Sequence, residues 1–105
     1  MKINLFLEIL QKRLEIIRRI IYNMDLNIFV KKFAELFDET DESEFKADTE
    51  FRKLVDWSSM VGLAVIAMID EEYGITVNID SFIKSKTIEE LFNVVKESNF
   101  NGKNI

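Results

Sequence analysis

Residues 57–75 read WSSMVGLAVIAMIDEEYGI and predict a helix with a defined beginning and end. Ser58 is placed to cap this helix, which we expect to run from about Ser59 to Tyr73. Gly74 follows its last residue, where a left-handed conformation costs little only for glycine. Almost no polar face exists before the three acids at 70–72, so other elements or partners must cover most of the helix.

Other segments also have helical patterns, and nothing else competes with them. Proline is absent, only three glycines occur, and alternating β-branched runs are missing, so we expect an all-α fold. The predicted helices are residues 3–22, residues 25–37 after a capping Asp25, a single turn at 80–83 capped by Asp80, and a last helix after the capping box Thr87–Glu90.

Composition limits the size and the chemistry of the protein. A chain of 105 residues with 48% hydrophobic residues can build one core. Cysteine and histidine are both absent, which excludes disulfides, histidine bases and Ser-His or Cys-His nucleophile pairs, so catalysis by the chain itself is not expected. The net charge of -5 opposes nucleic-acid binding. Charges interrupt every apolar stretch, so we expect no transmembrane segment, no secretory signal and a cytoplasmic location.

Charge divides the chain near residue 24. Residues 1–23 contain five basic and two acidic residues, a net of +3, whereas the remainder contains nine basic and seventeen acidic residues, a net of -8. We therefore expect an N-terminal amphipathic extension over 1–23, a helical domain over 24–98 and a polar, fraying tail over 99–105. Met24 is a second candidate for the start of translation.

The basic helix over residues 3–22 has several interpretations. It packs on its own domain, it self-associates with a second copy, or it is an upstream extension of the natural start. The functional alternative is a helix that binds a membrane surface or a partner protein.

The connection that follows the second helix contains an acidic segment and several apolar residues. Residues 38–44 contain five acids but fail as a calcium loop, because Ser43 stands where glycine is needed and Thr49 where a bidentate glutamate is needed. We interpret this segment as a solvated connection. Apolar residues of 45–58 are expected to anchor the rest to the helices: Phe45, Phe51, Leu54, Val55 and Trp57.

Two hydroxyls stand at the start of the central helix, in Trp57-Ser58-Ser59. The unpaired amides and the positive dipole end of a helix N-terminus favour a negative group, above all a phosphate. A serine phosphodiester would fit at this position.

Over residues 24–97 the sequence resembles the acyl carrier proteins. The motifs that carry the resemblance are FRKLVDWSSM at 51–60, IDEEYGI at 69–75 and TIEEL at 87–91. The resemblance implies a four-helix bundle, here with the additional N-terminal helix, and a serine that bears 4′-phosphopantetheine. That serine lies fourteen residues before the aromatic of a Glu-Glu-Phe-Gly-like ending, so Ser59 is its match. Ser58 stands where the family usually has aspartate, and is the second candidate for attachment.

The resemblance also implies a function and partners. A phosphopantetheinyl transferase would attach the arm from coenzyme A to Ser59, and the arm would carry acyl groups as thioesters for fatty-acid, polyketide or related synthases with basic docking surfaces. Docking residues implied by the family pattern are Met60, Asp70, Glu71 and Glu72. Plausible walls of an acyl pocket are Val65, Ile66, Ile69, Phe82 and Ile83, which are equally suitable as core.

A different class of function stays open. The alternative is an unmodified helical interaction module that binds partners through its apolar central helix and its basic N-terminal helix.

Overall fold

The structure, a computed structural model, describes the backbone of residues 2–23 and 25–100 and the side chains of residues 4–17 and 25–98. This part of the chain forms five α-helices and no strand, which confirms the all-α prediction. The helices are α1 (Lys2–Asn23), α2 (Leu26–Ala34), α3 (Ser59–Tyr73), α4 (Ile79–Lys84) and α5 (Ile88–Phe100). Two 3-10 turns, Glu42–Glu44 and Phe51–Lys53, lie between α2 and α3. Residues 101–105 of the predicted tail lie outside the described residues.

Two of the predicted helix starts form as expected. The Asp25 carboxylate accepts the N–H groups of Asn27 at 2.8 Å and Ile28 at 3.3 Å, so it caps α2. At α5 the Thr87 hydroxyl accepts the Glu90 N–H at 3.1 Å, and the Glu90 carboxylate accepts the Thr87 N–H at 3.2 Å. This reciprocal pair is the predicted capping box.

The short helix α4 begins before its predicted start. Its cap is Asn78, whose side chain accepts the Ser81 N–H at 3.1 Å, and Asp80 lies in the first turn instead. The prediction of Asp80 as the cap was therefore wrong. Asparagine and aspartate cap helices about equally well, so the choice between positions 78 and 80 depends on how the chain leaves α3.

The helix α2 is shorter than predicted, because it ends at Ala34 instead of Phe37. The N–H groups of Leu36 and Phe37 bond to carbonyls only three residues back, both at 3.1 Å. Such bonds tighten the last turn of a helix and satisfy its free carbonyls. This tight turn leaves Phe37 in the core, only 7% exposed.

Aromatic rings form the centre of the bundle. Phe29, Phe33 and Phe51 are fully buried. The ring centroid of Phe33 lies 5.3 Å from that of Phe51, and Phe29 lies 5.2 Å from Phe92 on α5. Tilted pairs at such distances stabilise beyond their buried area. The rings thus join α2, α5 and the long connection into one core.

The connection between α2 and α3 agrees with most of its prediction. Residues 38–44 are exposed apart from the half-buried Thr40, as a solvated segment should be. Phe45 and Phe51 are buried and anchor the connection. Val55 was predicted as a further anchor, and this was wrong, because its side chain is 87% exposed. It lies in a turn after Phe51–Lys53 whose neighbour Leu54 is half-buried instead.

The side chains of α1 differ from those of the other helices in their exposure. Every described side chain of α1, from residue 4 to residue 17, is exposed. The interpretation that this helix packs on its own domain is therefore wrong for these residues. Among the residues the structure describes, no helix is both long enough and apolar enough to cross a bilayer.

Candidate functional site

Ser58 forms the start of α3. Its backbone is extended, with φ -154° and ψ 169°, and its hydroxyl accepts the Val61 N–H at 3.2 Å. Its carbonyl accepts the Gly62 N–H at 2.9 Å. At the other end, Gly74 has φ +67° and donates its N–H to the Asp70 carbonyl at 2.9 Å. Both predicted ends of the central helix are confirmed, and the hydroxyl of Ser58 is engaged as a cap.

Ser59, by contrast, is the first residue of α3, and it is exposed. Within the described residues its hydroxyl takes part in no hydrogen bond. The amides of Ser59 and Met60 belong to the first turn, where no intrahelical acceptor exists. Met60 is itself 76% exposed, so access to the hydroxyl is open. An exposed hydroxyl beside unpaired amides fits a phosphate-linked group.

Arg52 clamps the chain that leads to this serine. Its guanidinium donates to the carbonyl of Phe82 at 2.7 Å and also to the carbonyl of Ser85. It lies over the rings of Phe51, at 4.8 Å from the centroid, and Phe82, at 5.1 Å. Its positive charge at the C-terminal carbonyls of α4 is also favourable for the helix dipole. Arg52 therefore ties the Phe51–Lys53 turn to the end of α4.

Trp57 continues this clamp up to the site. Its ring lies 5.2 Å from that of Phe51. It packs so closely on α3 that a Cβ at Gly62 would lie 3.3 Å from the indole. A glycine within a helix is otherwise unfavourable, so Gly62 is explained by this close approach. The residue immediately before the two serines is thus held on the helix that they begin.

Asp56 also fixes the chain that precedes the two serines. Its carboxylate accepts the N–H groups of Glu39 at 3.0 Å and Thr40 at 3.2 Å, and it also accepts the Thr40 hydroxyl. The Thr40 hydroxyl, more than these amides, lowers the pKa of Asp56 below its ordinary 3.8, against the opposing effect of burial. These bonds join the acidic segment to the residues before Ser58.

Sequence reasoning missed both Arg52 and Asp56. Arg52 had a usable signal, because it is a cation directly after a buried phenylalanine and five residues before a tryptophan. Asp56 had none, since its three donors lie sixteen and seventeen residues away in the chain.

The predicted docking residues all face solvent. Met60, Asp70 and Glu71 are exposed. Glu72 is exposed as well, and it also pairs with Lys32 of α2 at 2.9 Å. The exposed acids lie at the C-terminal end of α3, one helix length from the serine, while the surface nearest the serine is apolar. A partner would therefore meet apolar contacts near Ser59 and negative charge farther along the helix.

The residues predicted to line an acyl pocket divide into two groups. Val65 and Ile69 are fully buried, and Phe82 is 8% exposed. Ile66 is half-buried, and Ile83 is 63% exposed at the surface. The burial of the first three is what a core requires, so their role as pocket walls stays a prediction.

Within the described residues, no group of three or more carboxylates is placed to hold a metal ion.

Comparison with known proteins gives one match. A family model described as a phosphopantetheine attachment site matches residues 28–95, about two thirds of the chain. The matched region begins within α2, includes α3 with both serines and ends within α5, whereas α1 lies outside it. No curated protein and no solved structure matches the chain.

Proposed function

The chain belongs to the family of phosphopantetheine-attachment domains, and we propose that it is an acyl carrier protein with Ser59 as its attachment residue. Domains of this family are sites of covalent 4′-phosphopantetheine attachment and are modified by phosphopantetheinyl transferases. When attached, the arm supplies a terminal thiol that carries acyl groups as thioesters. The single observation that supports Ser59 is its exposed hydroxyl at the first residue of α3, beside amides that have no intrahelical acceptor.

The residues of this chain would hold and orient the modified group. The free amides of Ser59 and Met60 would face the phosphate, and the dipole of α3 would favour its charge. Ser58 keeps the helix start in place through its bond to Val61. Arg52 and Trp57 fix the chain before it, so the hydroxyl is presented without rearrangement.

Intact mass after incubation with a broad-specificity transferase, magnesium and coenzyme A tests the attachment. We expect the mass to rise by one phosphopantetheinyl group. Ser59→Ala must abolish the addition, whereas Ser58→Ala must retain it. Exchange of these two results would move the attachment to Ser58. A wild-type chain that stays unmodified beside a carrier that the same transferase modifies would refute the carrier function and favour the unmodified interaction module.

A second pair of variants examines the serine that replaces the usual aspartate. Ser58→Asp restores a negative cap that the resemblance associates with the transferase, and Ser58→Asn is a neutral cap of similar size. We expect faster modification of the aspartate variant only. Equal rates would show that the charge has no role here.

We propose Asp70 and Glu71 as the charged part of the surface that synthases recognise. Both are exposed, and opposite charges across an interface speed association at low salt. Charge reversal at both positions should weaken binding to a cognate synthase, with a loss that shrinks as salt is added. Glu72 is a poorer choice for this test, since its pair with Lys32 also joins α3 to α2.

We also propose that the acyl chain is sheltered near Val65, Ile69 and Phe82, with Ile83 at the surface where the chain would enter. Acylation with a medium-length chain should then shift the methyl resonances of Val65 and Ile69. Unchanged shifts would mean that the acyl chain stays in solvent.

The pathway and location are also part of the proposal. Fatty-acid, polyketide or related biosynthesis would use such a carrier as substrate, with the reactions performed by other enzymes. Because coenzyme A donates the arm, we propose that the protein meets its transferase in the cytoplasm.

A further inference from the structure

Among residues 4–17, the side chains of α1 that the structure describes, the large apolar ones lie at the surface. Eight large ones are between 44% and 64% exposed. They are Leu5, Phe6, Leu7, Ile9, Leu10, Leu14, Ile16 and Ile17. A contiguous exposed apolar face of this size is typical of an interaction surface.

Among residues 4–17, one cation, Arg13, lies inside this apolar face. On a helix the neighbours of Arg13 are the residues three and four positions away, and these are Ile9, Leu10, Ile16 and Ile17. All four are apolar. Anything that covers this face must therefore also satisfy the guanidinium of Arg13, because an unpaired buried charge is strongly unfavourable.

Lys12 provides the contrast on the same helix. Its neighbours three and four positions away include Glu8 and Glu15, on the side opposite the apolar face. These acids can serve Lys12 in water. They cannot reach Arg13 across the helix, so α1 holds no acid for the cation that its apolar face would bury.

This arrangement argues against two simple covers for α1. Two copies of α1 that meet through this face would bury two Arg13 guanidinium groups with no acid between them. A lipid surface would direct Arg13 from the middle of the face toward the acyl chains, at a cost that only a reorientation of the side chain would reduce. The best cover is an apolar groove with acids at its rim.

Such a groove lies on the bundle, between α2 and α3. Its volume is about 320 Å³. Small and apolar side chains form part of its lining, among them Ala64, Ala67 and Leu36, and Glu35 and Glu71 line it as well. The remaining charged residues of the lining, Lys32 and Glu72, pair with each other at 2.9 Å.

The two acids Glu35 and Glu71 are available to a partner. Both are exposed, and neither forms an ion pair with another described residue. Leu63 lies one turn before Ala67 on α3, and its apolar side chain is 65% exposed. The groove thus offers apolar surface together with two exposed carboxylates that form no ion pair among the described residues, which is the complement of α1.

We propose that α1 of one copy docks in the α2–α3 groove of a second copy, with Arg13 placed against Glu35 or Glu71. Because every side chain of residues 4–17 is exposed, this part of α1 does not cover the groove of its own chain and is available to a second copy. Reciprocal docking of two copies gives a closed dimer with the same contact made twice. Because Glu71 is also a proposed docking residue, the dimer and a synthase would compete for this face.

Sedimentation equilibrium of the full-length, unmodified chain tests the proposal. We expect a concentration-dependent dimer. Arg13→Glu should weaken it about tenfold or more, and so should Glu35→Arg combined with Glu71→Arg. The combination of all three substitutions should recover much of the association, because the charges are then exchanged. Lys12→Glu is the matched control and should dimerise like the wild type.

Several results would overturn the proposal. A wild-type monomer at every concentration would do so, including a monomer that binds vesicles of anionic lipid. If Arg13→Glu breaks the dimer but Glu35→Arg combined with Glu71→Arg does not weaken it, α1 binds elsewhere. Circular dichroism checks that each variant keeps its helices. Since the assay needs no prosthetic group, failure of phosphopantetheinylation and failure of dimerisation are separate results.

Discussion

The N-termini of α3 and α5 differ in how their free backbone N–H groups are satisfied. At α5 the capping box of Thr87 and Glu90 is closed on both sides, and the amides of Ile88 and Glu89 donate to carbonyls of the long connection at 3.2 and 2.9 Å. At α3 the only side-chain cap is Ser58, and the first turn beyond it faces solvent.

The difference shows which helix start is structural and which is available for chemistry. Ile88 is fully buried at the start of α5, whereas Ser59 is exposed at the start of α3. Burial requires that amides be satisfied within the protein, and exposure leaves them to water or a ligand. A helix start without internal partners keeps its position only if the residues before it are held by contacts with other parts of the chain. In this protein Arg52 and Asp56 make those contacts.

The largest expected effect comes from the clamp on the open end. Arg52→Met keeps the aliphatic packing but loses the bonds to the carbonyls of Phe82 and Ser85. We expect the free energy of unfolding to fall by about 2–3 kcal/mol, since hydrogen bonds from charged groups are strong. Denaturant unfolding measures this. Arg52→Lys should fall between, because an ammonium cannot reproduce the two-carbonyl fork. If both variants were as stable as the wild type, the contacts of Arg52 would not stabilise the fold.

A smaller effect is expected at the closed end. Thr87→Ala removes the side-chain acceptor of the Glu90 amide and should lower the free energy of unfolding by about 1 kcal/mol. The rate of phosphopantetheine attachment should not change, because the bonds between Thr87 and Glu90 serve the start of α5 and do not involve Ser59. Ser58→Ala should lose a similar stability at the open end. If Thr87→Ala instead slowed attachment, the two ends would be coupled.

Acid should release the Asp56 contacts gradually. Because its pKa is lowered in the folded protein, the folded state binds fewer protons than the unfolded state as the pH falls through 3.8. The stability from this group is complete above that value and is lost as the pH falls through the folded pKa. Asp56→Asn should therefore lose less melting temperature than the wild type between about pH 5 and about pH 3.

The control for this comparison is Asp48→Asn, at an exposed aspartate in the same connection. It should follow the wild-type pH profile. Asp56→Asn and wild type with parallel profiles would mean that the carboxylate contributes nothing specific in acid.

The smallest stability effect is expected at the attachment residue itself. Ser59→Ala removes a solvent-exposed hydroxyl and should change the free energy of unfolding by less than about 0.5 kcal/mol. Thermal unfolding of the unmodified proteins measures this. A larger loss would show that Ser59 has a structural role and would reduce the contrast between the two helix ends.

Local patterns predicted both ends of α3 and the starts of α2 and α5, but the end of α2 and the start of α4 were predicted incorrectly. Asp25, Ser58, Gly74 and the Thr87 capping box act within one turn of their own position, so their roles are visible in the sequence. The prediction that Asp80 caps α4 was wrong because Asn78, two residues earlier, can also cap this helix. The prediction that Val55 is a buried anchor was wrong because an apolar residue in a turn can face the core or the solvent, and its burial depends on the whole chain.

The residues that prepare the site were beyond local patterns. Arg52 reaches carbonyls thirty and thirty-three residues away, and Asp56 reaches back across the long connection to Thr40. The exposure of α1 could not be predicted either, because periodicity defines an apolar face but does not show what covers it.

The sequence by itself determined the helices, the cap of α3 and the position of Ser59, because these depend on backbone preferences and hydrogen bonds within a few residues. Only the tertiary structure decided that the hydroxyl of Ser59 is exposed, that Arg52 and Asp56 fix its approach, and that α1 leaves its apolar face in solvent. Those facts depend on contacts between residues far apart in the chain, where packing and charge pairing replace local preference.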